Sequence, residues 1–137
     1  MASINDFKTD LEKESQGVWV PYKGSDFELR IARIGGKKYQ ADMRRVLKPL
    51  RRRVDGGNIS EDEAMEVLVP IVAKHLVKDW RGLTDGPDDG PEIPFSIIKC
   101  QELLSDPQLK DLYDFIMTVA NDGDEFKLDL NASTAGN

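Results

Sequence analysis

The sequence predicts a predominantly helical α+β domain, an N-terminal β-hairpin packed with four to five helices. Three observations carry this. Phe27 through Ile34 alternate apolar with mostly polar side chains, the two-residue period of a half-buried strand. From Lys37 the period lengthens: Tyr39, Met43, Val46, Leu47, Leu50 and Val54 share one face of a helix. Further on, Ser60-Glu61-Asp62-Glu63 and Ser105-Asp106-Pro107 are helix starts, the first a capping box and the second an Asp N-cap followed by proline.

The elements follow in order. Residues 3–14 read as a short amphipathic helix with Ile4, Phe7 and Leu11 on one side, stopped by Gly17. Val18-Trp19-Val20-Pro21-Tyr22 is rich in strand formers, and Pro21 marks it as an edge. Lys23-Gly24-Ser25-Asp26 is the turn of the hairpin, whose second strand ends at Gly35-Gly36. In the helix that follows, Pro49 predicts a kink or break near Lys48, because proline lacks the N–H that the helix ladder needs. Pro70 predicts the same in the helix opened by Ser60, which carries Ala64, Val67, Leu68, Ile71, Val72 and Leu76. That helical pattern ends at Trp80. Gly82–Pro91 is an exposed Gly/Pro/Asp loop. Ser96 caps a short helix with Ile97, Ile98, Cys100, Leu103 and Leu104 on its apolar side. The last helix bears Leu109, Leu112, Tyr113, Ile116, Met117 and Ala120 and stops at Asn121-Asp122-Gly123-Asp124. The expected organisation is one domain over 1–123 and a flexible C-terminal tail over 124–137, small and polar at its end.

Composition narrows the function classes. A chain of 137 residues is long enough to bury a core without staples. No apolar run approaches the roughly 18 residues of a membrane span, and Met1–Asp6 has neither the basic nor the apolar region of a signal peptide. A cytoplasmic protein is expected. One cysteine and one histidine leave little material for a disulfide, a zinc site or a catalytic triad. Net charge is −6, but unevenly spread. Residues 37–54 hold eight basic and one acidic residue, whereas 84–137 hold three basic and twelve acidic. The basic segment calls for an acidic partner: a surface of this chain, another copy, another protein or nucleic acid.

Each candidate site has a plain structural counterpart. Cys100 lies on an apolar helix side and reads as a buried thiol rather than a nucleophile. His75 flanks a helix end and reads as a rim residue. Asp85, Asp88, Asp89 and Glu92 could hold a hard cation, but their spacing fits no EF-hand and a solvated loop is favoured. Gly35-Gly36-Lys37 lacks the Walker pattern and sits where a strand-to-helix turn needs glycine. No nucleophile–base pair or metal set is visible, so an enzyme, a cofactor and a catalytic residue are not expected. Arg44, Arg45, Lys48, Arg51, Arg52 and Arg53 could neutralise phosphates, yet no DNA-binding motif or stacking aromatic set accompanies them. Pairing with an acidic protein surface is preferred. Trp80 and Phe95, beside the acidic loop, are either core residues or anchors for a partner.

Three stretches resemble phage tail assembly chaperones of long-tailed siphoviruses. Phe27–Pro49, with Ala32-Arg33-Ile34-Gly35-Gly36-Lys37-Lys38-Tyr39 and Leu47-Lys48-Pro49, resembles the front half of that family. Lys78-Asp79-Trp80-Arg81-Gly82-Leu83, Ile93-Pro94-Phe95-Ser96 and Leu104-Ser105-Asp106-Pro107-Gln108-Leu109 resemble its back half. Order and spacing match over about residues 18–120. Arg81 stands where an acidic residue is expected, and the loop at Gly86–Pro91 is longer and more acidic than usual.

The resemblance implies a non-enzymatic role in the host cytoplasm. Such proteins bind the long helical tape measure protein, keep it soluble and help recruit tail tube subunits. A frameshift-extended form commonly contacts the major tail tube protein. Trp80 and Phe95 would line or support a client groove, and the basic helix would pair with an acidic client or with a neighbouring copy in self-association. The alternatives are a structural head–tail or tail component of the virion, and a small nucleic-acid-binding regulator using the basic helix.

Overall fold

The computed structural model describes residues 1–57 and 59–129. Among these are five α-helices and three strands: α1 (Leu11–Gln16), β1 (Val18–Pro21), β2 (Glu28–Ile31), α2 (Lys37–Asp55), α3 (Glu61–His75), β3 (Val77–Arg81), α4 (Ile97–Leu104) and α5 (Lys110–Asn121). The helix-dominated α+β class and the N-terminal hairpin are as the sequence predicts.

The strands form one antiparallel sheet in the order β1-β2-β3. Val20, Leu29, Ile31, Val77 and Trp80 point from its inner face into the core, where α3, α4 and α5 contribute Val69, Val72, Cys100, Leu104, Leu112 and Ile116. The outer face is wet. There the Arg81 guanidinium lies 4.1 Å from the centre of the Trp19 ring and bonds Glu28 at 3.0 Å.

β3 is the element the sequence does not reveal. The helical pattern stops at His75 rather than running on to Trp80, and the chain passes straight into the sheet with Ala32 N–H donating to Leu76 O. The pairing slips by one residue: Arg30 faces Asp79 but Ile31 faces Val77. This bulge puts two residues between Val77 and Trp80 although both side chains are buried. The strand therefore lacks the strict alternation by which strands are recognised.

Two helices run through their prolines. α2 and α3 continue past Pro49 and Pro70 without a break. Both prolines are exposed, so water can satisfy the carbonyls of Arg45 and Glu66 that lose a partner.

The two ends differ from expectation. Residues 3–14 are not one helix. A 3-10 turn at Ile4–Asp6 is followed by α1, which Asp10 caps by accepting from the N–H groups of Glu12 and Lys13. The break is fixed from outside: Thr9 bridges to Lys127, and Asp10 N–H donates to Phe126 O at 2.7 Å. At the C-terminus the boundary at 123 falls too early. Phe126 is fully buried, and a 3-10 turn over Gly123–Phe126 brings it there. The end of a helix was not the end of the core, because one large apolar side chain remained to be placed. Residues 130–137 of the expected tail lie outside the described residues.

Candidate functional site

The corner after β3 is built around a residue that must be glycine. Gly82 has φ +78, and a Cβ there would stand 2.1 Å from the Asp26 carbonyl oxygen. The chain thus leaves β3 hard against the hairpin turn. Glu92 then closes the neck of the acidic loop: its Oε1 accepts from Gly82 N–H, Ile93 N–H donates to Leu83 O at 2.7 Å, and Thr84 bridges to Glu92. Asp85, Asp88 and Asp89 stay exposed beyond that neck. No group of three or more His, Cys, Asp or Glu side chains among the described residues could hold a metal ion.

Trp80 anchors this corner from inside. It is 5% exposed, its indole N–H donates to Ile93 O at 2.9 Å, and its ring meets Phe27 and Phe95 edge-on at 6.2 and 5.0 Å. Its part is support, since it has almost no surface to offer a partner. Phe95 is half-buried. Directly after it, Ser96 Oγ accepts from Lys99 N–H and opens α4.

The first turn of α4 departs from the sequence reading. Cys100 and Leu104 are buried, but Ile97 is 44% and Ile98 72% exposed. The signal was present. At about 100° per residue, Cys100, Leu103 and Leu104 define one side of α4, and Ile98 falls well outside it. Phe95, Ile97 and Ile98 are thus apolar side chains at the surface of a corner held by buried aromatics.

The predicted basic residues all lie on α2 and are exposed. Arg45 pairs with Asp42 at 2.8 Å, and Arg53 pairs with Glu63 of α3. Arg44 makes only a 3.4 Å bond to Gln40 O. Lys48, Arg51 and Arg52 have no ion-pair partner among the described residues. Asp42 accounts for the lone histidine. His75 Nε2 lies 2.6 Å from Asp42 Oδ2, and the imidazole packs edge-on to Tyr39. That bond, with Arg45 and Lys74 close by, holds the Asp42 carboxyl below the usual carboxylate range. His75 is nearly enclosed rather than on the rim. Burial pushes the Cys100 thiol up to about 12, which keeps it from forming a nucleophilic thiolate at neutral pH.

Sequence reasoning missed a groove of about 670 Å³ between α3 and the α4–α5 connection. Met65, Leu68, Leu104 and Tyr113 give it apolar walls, and Glu61, Asp62, Glu66, Asp106 and Asp114 give it an acidic rim, with Lys110 among them. Its residues are scattered between positions 61 and 114, so no local pattern could show it.

Corner, basic helix and groove all lie within residues 34–137, the span matched by the model of the YdaY prophage protein family. The chain belongs to that family. It is a phage-derived protein, as the resemblance in its sequence implies. The match with YdaY prophage proteins begins at Ile34, so the hairpin precedes it. No curated protein and no solved structure matches the chain. No helix among the described residues is long and apolar enough to cross a membrane.

Proposed function

We propose that this YdaY-family protein is a phage tail assembly chaperone that binds the tape measure protein, keeps it soluble and helps recruit tail tube subunits. It does so by binding alone, without catalysing a reaction, in the host cytoplasm. The exposed isoleucine pair of α4 beside Phe95 supports this reading best. A tape measure protein presents long apolar helical stripes until the tail tube encloses it. A small apolar corner on a rigid mount can cover one turn or two of such a stripe, in the manner of helix recognition by apolar anchors.

The size of the corner sets the affinity. Full burial of an isoleucine is worth about 1.5–3 kcal/mol, and association costs at least about 4 kcal/mol in lost translation and rotation. One copy therefore binds weakly. Many copies along one client supply the strength, and each leaves readily when tube subunits arrive. The high surface charge of the chain keeps the coated client in solution.

Co-expression with the longest helical protein encoded by the same phage tests the proposal. The client is expected to be soluble only with this chain and to co-purify with it. Substitution of Ile97 and Ile98 by Asp is expected to abolish both effects. A client that is equally soluble alone contradicts the proposal. A stoichiometric copy of this chain in purified virions would make it a structural tail component instead.

A further inference from the structure

We propose that the groove between α3 and the α4–α5 connection docks a basic amphipathic helix of another protein, one with Lys or Arg on both flanks of an apolar ridge. The walls call for the ridge. Met65 and Leu68 of α3 and Tyr113 of α5 line the groove and are only half-buried, while Val69 and Leu104 are buried. Along α3 the lining runs from Glu61 to Val69, about 12 Å at the rise of a helix. That is room for a little over two turns of a partner, the span of anchors at i, i+3 or i+4, and i+7.

The rim calls for the flanks. Five carboxylates stand around the groove against the one ammonium of Lys110. None of the five takes part in an ion pair among the described residues. Three have local reasons to be acidic. Glu61 and Asp62 lie in the first turn of α3, where the helix end favours negative charge, and Asp106 accepts from Gln108 N–H. Glu66 and Asp114 have neither reason, being past the first turns of α3 and α5. They face each other's helices across an apolar floor, where like charges add their fields and draw in a cation.

The basic helix of a second copy does not suit the groove. α2 packs Tyr39, Met43 and Val46 against the core, and an apolar side engaged there cannot also fill Met65, Leu68 and Tyr113. The groove is also separate from the isoleucine corner. Ile97 and Ile98 open α4 and Leu104 ends it, about 10 Å further along. The inference therefore does not rest on the tail-assembly reading: the chain has one apolar site and one acidic site, and each takes a different partner.

Fluorescence anisotropy with a labelled synthetic helix tests this, titrated with the full chain. The probe is a peptide of about four turns with leucine at i, i+3 and i+7 and lysine on both flanks. The expected result is saturable one-to-one binding, weakened at least about tenfold by Glu66→Lys/Asp114→Lys. Asp85→Lys/Asp88→Lys changes the net charge equally in the exposed acidic loop and should leave binding within about twofold of the parent. Ile97→Asp/Ile98→Asp should bind the probe at least as well as the parent, which separates this site from the corner. All these positions are exposed, and circular dichroism checks that the variants fold. A second probe with serine in place of leucine should bind the parent at least about tenfold more weakly, a comparison that needs no variant. Absence of binding overturns the proposal. Equal losses in the two lysine variants, or a serine probe that binds as tightly as the leucine probe, also overturn it, because either reduces the effect to general attraction by an acidic chain. Self-association of the parent that Glu66→Lys/Asp114→Lys alone abolishes would give the groove to a second copy and overturn it as well.

Discussion

Replacing Trp80 and replacing Ile98 should have opposite consequences, because one residue holds the corner up and the other faces away from it. Trp80 is 5% exposed, touches two aromatic rings and donates its indole N–H to Ile93 O. Trp80→Ala removes the largest side chain at the junction of β3, the hairpin and α4. Such truncations cost about 3–5 kcal/mol, and the Ile93 carbonyl, left without its donor, adds to the upper part of that range. Trp80→Phe keeps a ring but not the N–H, and should cost about 1–3 kcal/mol. Ile98, 72% exposed, makes no comparable contact. Ile98→Asp should leave stability within about 0.5 kcal/mol of the parent. Urea denaturation followed by circular dichroism reads all three. With a slope near 2 kcal/mol per molar, Trp80→Ala should lower the midpoint by roughly 2 M. A midpoint shift under about 0.5 M for Trp80→Ala, or a loss above about 1 kcal/mol for Ile98→Asp, would refute the division between support and surface.

Other expectations concern the rest of the molecule. Phe126 is fully buried and ties residues 126–128 to the N-terminal segment, so Phe126→Ala, or truncation after Gly123, should destabilise by about 3–5 kcal/mol in the same denaturation assay. Cys100 should resist thiol-specific reagents at pH 8 in the folded chain and react at once in denaturant, because burial holds its thiol near 12; fast reaction in the folded state would place it at the surface. Asp42 and Glu14 are both held below the usual carboxylate range, by the bonds to His75 and to Thr9 respectively. Their contributions are therefore fully present above the ordinary carboxylate pKa and are lost as pH falls through the depressed values. Asp42→Asn should flatten that acid limb of a stability–pH curve.

The fold was legible wherever a periodic pattern and its punctuation agreed. The hairpin showed itself by alternation and turn residues, and α2 by a continuous apolar face. α3, α4 and the turn before α5 showed themselves by Ser or Asp caps that the structure retains at Ser60, Ser96 and Asp106. What escaped was set by distant contacts. β3 is short and bulged, so its period is masked. Phe126 is one apolar residue in a polar stretch, and only the neighbouring N-terminal segment explains its burial. The prolines in α2 and α3 looked like breakers because the sequence does not tell which helix face is wet.

The site was legible in part. The cationic residues and the aromatic corner could be named from the sequence, but the roles within the corner could not. Trp80 drew attention as a large aromatic beside a loop, yet its N–H is satisfied internally and its rings are enclosed. Ile97 and Ile98 looked like core residues because three further apolar side chains, Cys100, Leu103 and Leu104, share their helix. The acidic groove required the tertiary structure, since α3 and α5 bring together acids some fifty positions apart.

The central claim is that the exposed isoleucines of α4 hold an apolar helical client. Co-expression of the phage's longest helical protein with the parent chain and with the Ile97→Asp/Ile98→Asp variant tests it most directly, with soluble yield and co-purification as the readouts. The account predicts a soluble complex with the parent and an insoluble client with the variant, both chains being equally folded. Equal yields of soluble, co-purified client with the two chains would contradict it.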